Sequence, residues 1–205
     1  MKIEMGESLF YSWLRHVKNC KLVQLNWKIS PAWSFSHEKE LISLVEDINI
    51  AFPNIFKKNK YKQLLSQAEL DAFGVDFTEK GSQYYAVDVA CHLVNLGYGS
   101  KDDNIAKVSE KMLRAAMILY AYFETKQGEI IFAAPKINDA CYTPLKQRVS
   151  DIEKFMRSKG FNYKFTLIAN KGFNDVVSSV EALSDYVADT SELFLRSYQL
   201  HRACQ

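Results

Sequence analysis

The chain is predicted to be α/β, a mixed central sheet flanked by helices, and three observations lead to that class. Residues 67–74 and 84–92 both read with the two-residue period of strands, and only a turn around Lys80, Gly81 and Ser82 separates their ends. Residues 104–123 then carry Ile105, Val108, Met112, Ala116, Leu119 and Phe123 at helical spacing. Residues 129–134 follow as a short apolar run that reads as another strand.

Taken in order, Gly6-Glu7-Ser8 opens an amphipathic helix that runs to Val17, and residues 22–29 read as the first strand. An insertion over about residues 36–65 holds a helix from 36 to 52 and a basic stretch, Lys57, Lys58, Lys60 and Lys62, among Phe56 and Tyr61. Such a stretch is a solvated loop or a surface that touches phosphates and bases. After the 129–134 strand, a helix is expected over 146–159, a strand over 163–169, and helices over 174–187 and 189–202. Asp189-Thr-Ser-Glu192 has the form of a helix start, with Asp or Thr as cap and Glu in the first turn. Residues 1–205 are read as one domain, with a core over about 5–137 and a C-terminal elaboration over about 138–205. Phe10, Tyr11, Trp13, Tyr120 and Tyr122 follow helical spacing and are assigned to the core.

Two segments concentrate the chemistry. Glu69 and Asp71 share one face of the first alternating segment, and Asp88, Ala90 and His92 share one face of the second. Asp88 lies within a run of Tyr, Ala, Val and Cys, where an ionised carboxylate is costly to bury unless a cation or a hydrogen-bond network compensates it. A hard divalent cation would do so, and oxygen donors of this kind suit Mg²⁺ or Mn²⁺. Structural acids hydrogen-bonded to loops are the other reading.

Glu69-Leu-Asp71, an apolar turn, and then an apolar strand bearing Asp88 resemble the paired motifs of the PD-(D/E)xK nuclease superfamily, the restriction-endonuclease-like fold, and in particular its resolvase-like members. The resemblance implies an α-β-β-β-α-β core and metal-dependent cleavage of DNA, with Asp71 matching the first metal-binding acid and Asp88 the second. An acid on the helix before the first core strand is common in these nucleases, and Glu7 stands there; the helix dipole alone also favours a carboxylate in that first turn. Ala90 departs from the pattern, since it occupies the place of the family lysine. The opening Gly6-Glu7-Ser8-Leu9 and Ser12-Trp-Leu-Arg-His16 also resemble a group of uncharacterised bacterial proteins of similar length, a likeness that carries no activity.

Several residues offer to replace the lysine. His92 is a base near neutral pH or a structural histidine. Lys107, Lys111 and Arg114 lie along one flank of the 104–123 helix, where a cation would offset developing phosphate charge or simply be solvated. Lys28, beside Trp27, is a third source. The expected function is a metal-dependent DNA endonuclease or related phosphodiesterase, in restriction or foreign-DNA defence, with metal ligands drawn from Asp71, Asp88, Glu7 and Glu69. The alternative is a nuclease-fold protein without catalysis that binds nucleic acid or serves as an assembly subunit, and Ala90 is its evidence. DNA is the expected partner, with a homodimer and a defence-system protein compatible with either role.

Composition sets outer bounds. The 205 residues are 48% hydrophobic, ample for a sizeable core, and the net charge of +2 gives no global polybasic field, so any DNA surface must come from local clustering. Cys20, Cys91, Cys141 and Cys204 make no CxxC pair, which argues against a zinc ribbon or a redox dithiol and for reduced thiols in a cytoplasm. No apolar signal core or bilayer-length apolar run is present, so a soluble cytoplasmic protein without membrane partners is expected.

Overall fold

A computed structural model describes residues 4–30, 32–57, 59–79, 81–92, 95–187 and 190–205. Lys58, Lys80 and Asp189, which the sequence reading placed in the basic stretch, the strand-connecting turn and a helix cap, lie outside the described residues. Among the described residues a single five-stranded sheet has the order β1-β2-β3-β4-β5, so each strand lies beside its neighbour in sequence. β1 (Leu22–Trp27), β2 (Leu70–Thr78) and β3 (Gly81–Val89) form an antiparallel meander, while β4 (Gln127–Ala134) and β5 (Asn162–Ala169) join parallel. The parallel joins require crossovers. The helices α4 (Lys101–Phe123) and α5 (Asp139–Ser158) supply them.

The mixed α/β class is therefore observed, with elements in the order helix, strand, two helices, two strands, helix, strand over the first two thirds of the chain. Helix α1 (Met5–Ser12) continues into a π-helical turn, Trp13–Val17, and packs Leu9, Phe10 and Leu14 with Ala72, Val87 and Ile131 on one face of the sheet. The other face carries Phe73, Ala86, Ile130 and Phe132 and is covered by α4 and α5 through Val108, Met112, Leu145 and Ile152. The insertion adds α2 (Glu38–Ala51) and α3 (Tyr61–Ser66) to that second layer, where Leu41, Leu44, Ile48 and Leu64 are buried. The chain closes with α6 (Lys171–Glu181) and α7 (Leu193–Ala203).

Boundaries moved where local chemistry overrode periodicity. Helix α4 begins three residues before Asn104 because Ser100 caps it and Asp103 completes a reciprocal capping box. Helix α5 starts at Asp139 instead of 146, capped by Asn138, and holds Pro144 past its first turn, where the missing N–H leaves the Ala140 carbonyl without its helical donor. Helix α7 starts later than 189, with Glu192 at its N-cap position. Glu192 is buried there, receiving Ser12 Oγ at 2.5 Å, Arg15 at 3.0 Å and His16 Nε2 at 2.9 Å, which ties α7 to α1. Among the described residues no helix is long and apolar enough to cross a membrane.

Candidate active site

The acid segments meet at one end of the sheet. Ala72 pairs with Val87 and Phe73 with Ala86, so the antiparallel register sets Asp71 opposite Asp88. Alternation puts both on the face that carries Phe73 and Ala86, beneath α4. Strand β2 runs over Leu70–Thr78 instead of 67–74, so Glu69 lies just outside it. Strand β3 stops at Val89, and Ala90, Cys91 and His92 lie beyond its end. The cause is a tight turn in which the His92 N–H donates to the Ala90 carbonyl at 2.9 Å.

Lys111 of α4 reaches into this corner. Its Nζ lies 2.6 Å from Asp88 Oδ1, and Asp88 is only 8% exposed. Burial disfavours the Lys111 ammonium, but the charge and hydrogen bond of Asp88, with Tyr98 and Asp71, together outweigh it and the pKa is raised above the ordinary lysine value. Lys111 is therefore a cation at neutral pH. Asp71 accepts the Val89 N–H at 2.6 Å through Oδ2. Burial, and then the charge of Asp88, push its carboxyl up to about 7 against the pull of that hydrogen bond and of Lys111. Two ionised carboxylates here would carry more negative charge than one ammonium neutralises, and the charge of Asp88 accordingly raises Asp71.

Glu7 approaches from the start of α1 and adds to the negative charge felt by Asp71. It also answers the Glu4 N–H at 3.1 Å and accepts the Asn26 amide at 3.2 Å, so it caps its helix and lies beside the site at once. Gly6 makes that approach possible, because a Cβ there would collide with Cys91 Sγ at 2.0 Å and meet Val89 at 3.0 Å. Asn26 takes a left-handed φ of 50°, which Asn tolerates better than most residues.

The other sequence candidates fall outside the corner. Glu69 pairs with Lys28 at 3.0 Å, and Lys107 with Glu110 at 2.9 Å. His92 is exposed and meets the Tyr98 ring edge-on at 5.9 Å between centroids, while Lys111 Nζ lies 5.8 Å from the same ring. Tyr98 therefore walls the corner between them. The sequence reading passed over Tyr98 and Asn26, although Gly97-Tyr98-Gly99, with both glycines at positive φ, marks a loop bent for close packing.

Ala90 is 4% exposed and its N–H donates to the Ala133 carbonyl, so no open space awaits a lysine chain there. The cation beside Asp88 comes instead from Lys111 of α4. Among the described residues no group of three or more His, Cys, Asp or Glu converges closely enough to hold a metal by itself. The donor chemistry nonetheless fits Mg²⁺ or Mn²⁺, which keep several waters and take one or two protein carboxylates together with substrate phosphates. Asp71 and Asp88 are such a pair. No protein-family model, curated protein or solved structure matches the chain.

Proposed function

We propose that the protein is a metal-dependent phosphodiesterase of the PD-(D/E)xK type acting on DNA. The observation that carries this reading is the convergence of Asp71, Asp88 and Lys111 from two adjacent strands and the following helix. Asp71 and Asp88 are the residues that would hold Mg²⁺ or Mn²⁺, with Glu7 adding negative charge beside Asp71. When bound, such an ion lowers the pKa of water and neutralises charge on a phosphate.

Lys111 stands in for the missing strand lysine. Held protonated by Asp88, it offsets the charge that grows on the phosphoryl oxygens; it does not serve as a free-amine base. Tyr98 restricts the motion of its long chain, and the Val89 N–H fixes one oxygen of Asp71 so that the other is free to take a ligand. His92, exposed on the far side of Tyr98, is placed to meet substrate at the rim instead of at the reacting phosphate.

The test is cleavage of single-stranded, duplex and branched DNA in Mg²⁺ and Mn²⁺, with and without chelator. Metal-dependent products from wild type, lost in Asp88→Asn and Lys111→Ala, are expected. DNA binding with no cleavage of any substrate would instead establish the non-catalytic alternative.

A further inference from the structure

Beyond the end of β1, two strands over from the acid corner, a cavity of about 370 Å³ opens between the chain leaving β1 and the short helix α3, with Ser30, Trp33, Phe35, Lys62 and Gln63 in its wall. We infer that this cavity receives an unpaired base of a single-stranded DNA segment whose backbone crosses the acid corner. This rests on the nuclease reading for the identity of the polymer and extends it to the substrate's strandedness.

The cavity has the size and the wall that a base requires. Its volume falls within the range of small-ligand pockets, roughly 300–1,000 Å³. Trp33 is 40% exposed although it is the largest side chain of its loop. It stacks on Tyr122 at 3.9 Å between centroids and 24° between planes, and Trp27 lies 6.3 Å away, so a tier of rings holds it as a rigid platform. Aromatic platforms bind bases through their π-faces with little regard to sequence. Gln63 and Ser30 bring an amide and a hydroxyl to the wall, groups that can pair with a base edge. Lys62 pairs only loosely with Glu38, at 3.5 Å and largely in solvent, so a phosphate can compete for it.

Position connects the cavity to the acids. Trp27 pairs with Leu70 at the end of β1, and Ile29 and Ser30 continue from there into the cavity wall. Asp71 follows Leu70, and Asp88 lies on the next strand over. Adjacent strands are about 4.8 Å apart, which sets β1 about 10 Å from β3, and Ile29 and Ser30 lie beyond Trp27 along the chain, so the near wall stands roughly 15 Å from Asp88. A nucleic-acid strand rises about 3.4 Å per nucleotide when stacked, so a base on the order of four to five nucleotides from the scissile phosphate would reach the platform. A paired base shows only its edges and would not reach it.

The experiment measures binding by the full chain in chelator, where cleavage is silent. A labelled single-stranded oligonucleotide is titrated with wild type, Trp33→Ala, Trp33→Phe and Lys62→Ala, against a matched duplex and a mononucleotide competitor, after thermal melts verify that each variant folds. Preference for the single strand is expected, weakened about tenfold or more by Trp33→Ala, restored in part by Trp33→Phe and weakened less by Lys62→Ala. If Trp33→Ala does not fold, the Phe and Lys62 variants carry the comparison. Equal affinity of all variants for the single strand overturns the inference and leaves the cleavage reading untouched. A mononucleotide that competes as well as the oligonucleotide overturns it in favour of a free nucleotide. Loss of single-strand binding in Trp33→Ala, from a wild type that cleaves nothing, upholds the cavity and removes the cleavage reading.

Discussion

Two buried carboxylates on this sheet sit beside lysines, and their surroundings differ in one respect. Glu129, on the α1 face of β4, is 8% exposed, receives Lys164 at 2.9 Å and the Thr166 hydroxyl at 2.6 Å, and has Lys18 at 3.9 Å. Burial pushes its pKa up, but these partners prevail and the pKa is lowered. Asp88, equally buried on the α4 face, has Lys111 alone and shares it with Asp71, whose carboxyl is pushed up to about 7. One acid has cations to spare. The other site is short of one, which is the electrostatic condition of a place that takes a cation from outside.

Exchanging the carboxylates should separate the two sites most sharply. Asp71→Asn and Asp88→Asn are expected to lower metal-dependent DNA cleavage by about a hundredfold or more, as removal of a group acting on the transition state does. Glu129→Gln should leave cleavage unchanged while costing about 1–3 kcal/mol of stability, read from a denaturant melt, because a satisfied buried acceptor is weakened. Cleavage that falls equally in all three variants would erase the distinction.

The lysines give the next largest effect. Lys111→Ala is expected to slow cleavage by about a hundredfold with little change in DNA affinity, whereas Lys107→Ala, whose amine rests on Glu110, should change it by less than about twofold. Single-turnover rates alongside equilibrium binding distinguish the two. A similar loss from both lysines would point to a general basic flank.

Metal should then stabilise the fold. At a Mg²⁺ concentration about a hundred times its dissociation constant the gain is about 2.7 kcal/mol. In a chain of this length that raises Tm by about 5–10 °C, and Asp88→Asn should remove most of the rise. Glu129→Gln should retain it.

A smaller effect lies in the pH dependence of the metal-free protein. The folded-state pKa of Asp71 stands near 7, above its unfolded value, so its contribution is fully present at low pH and is lost as pH rises from about 4 through 7. Asp71→Asn removes that loss. In chelator its melting temperature, relative to wild type, should be higher at pH 8 than at pH 4, and an offset that does not vary with pH would contradict this assignment.

The sequence carried the fold class and the acid pair for the same physical reason. An alternating strand writes its buried face into its residues, and Asp88 within Tyr-Ala-Val-Asp-Val announces an unusual group on that face. Helix starts were less legible at α5, where Pro144 sits inside the first turns, and at β3, where the His92–Ala90 turn ends pairing despite a continuing apolar pattern. His92 thereby leaves the face on which alternation had placed it. The choice between Lys107 and Lys111 was not legible either, since one turn of a helix separates them and only the crossing of α4 over β3 decides which reaches Asp88. Tyr98 and Trp33 belong to loops, and loops bring residues together through backbone turns that no periodicity records.

On the function proposed above, the Asp71–Asp88 corner binds a divalent cation that Glu129 does not need. Calorimetric titration of Mn²⁺ into wild type, Asp71→Asn and Glu129→Gln, each in the presence of saturating DNA, tests it directly. Saturable binding is expected in wild type and Glu129→Gln, and its loss in Asp71→Asn. Saturable binding of equal strength in all three, or none in wild type at millimolar Mn²⁺, would contradict it.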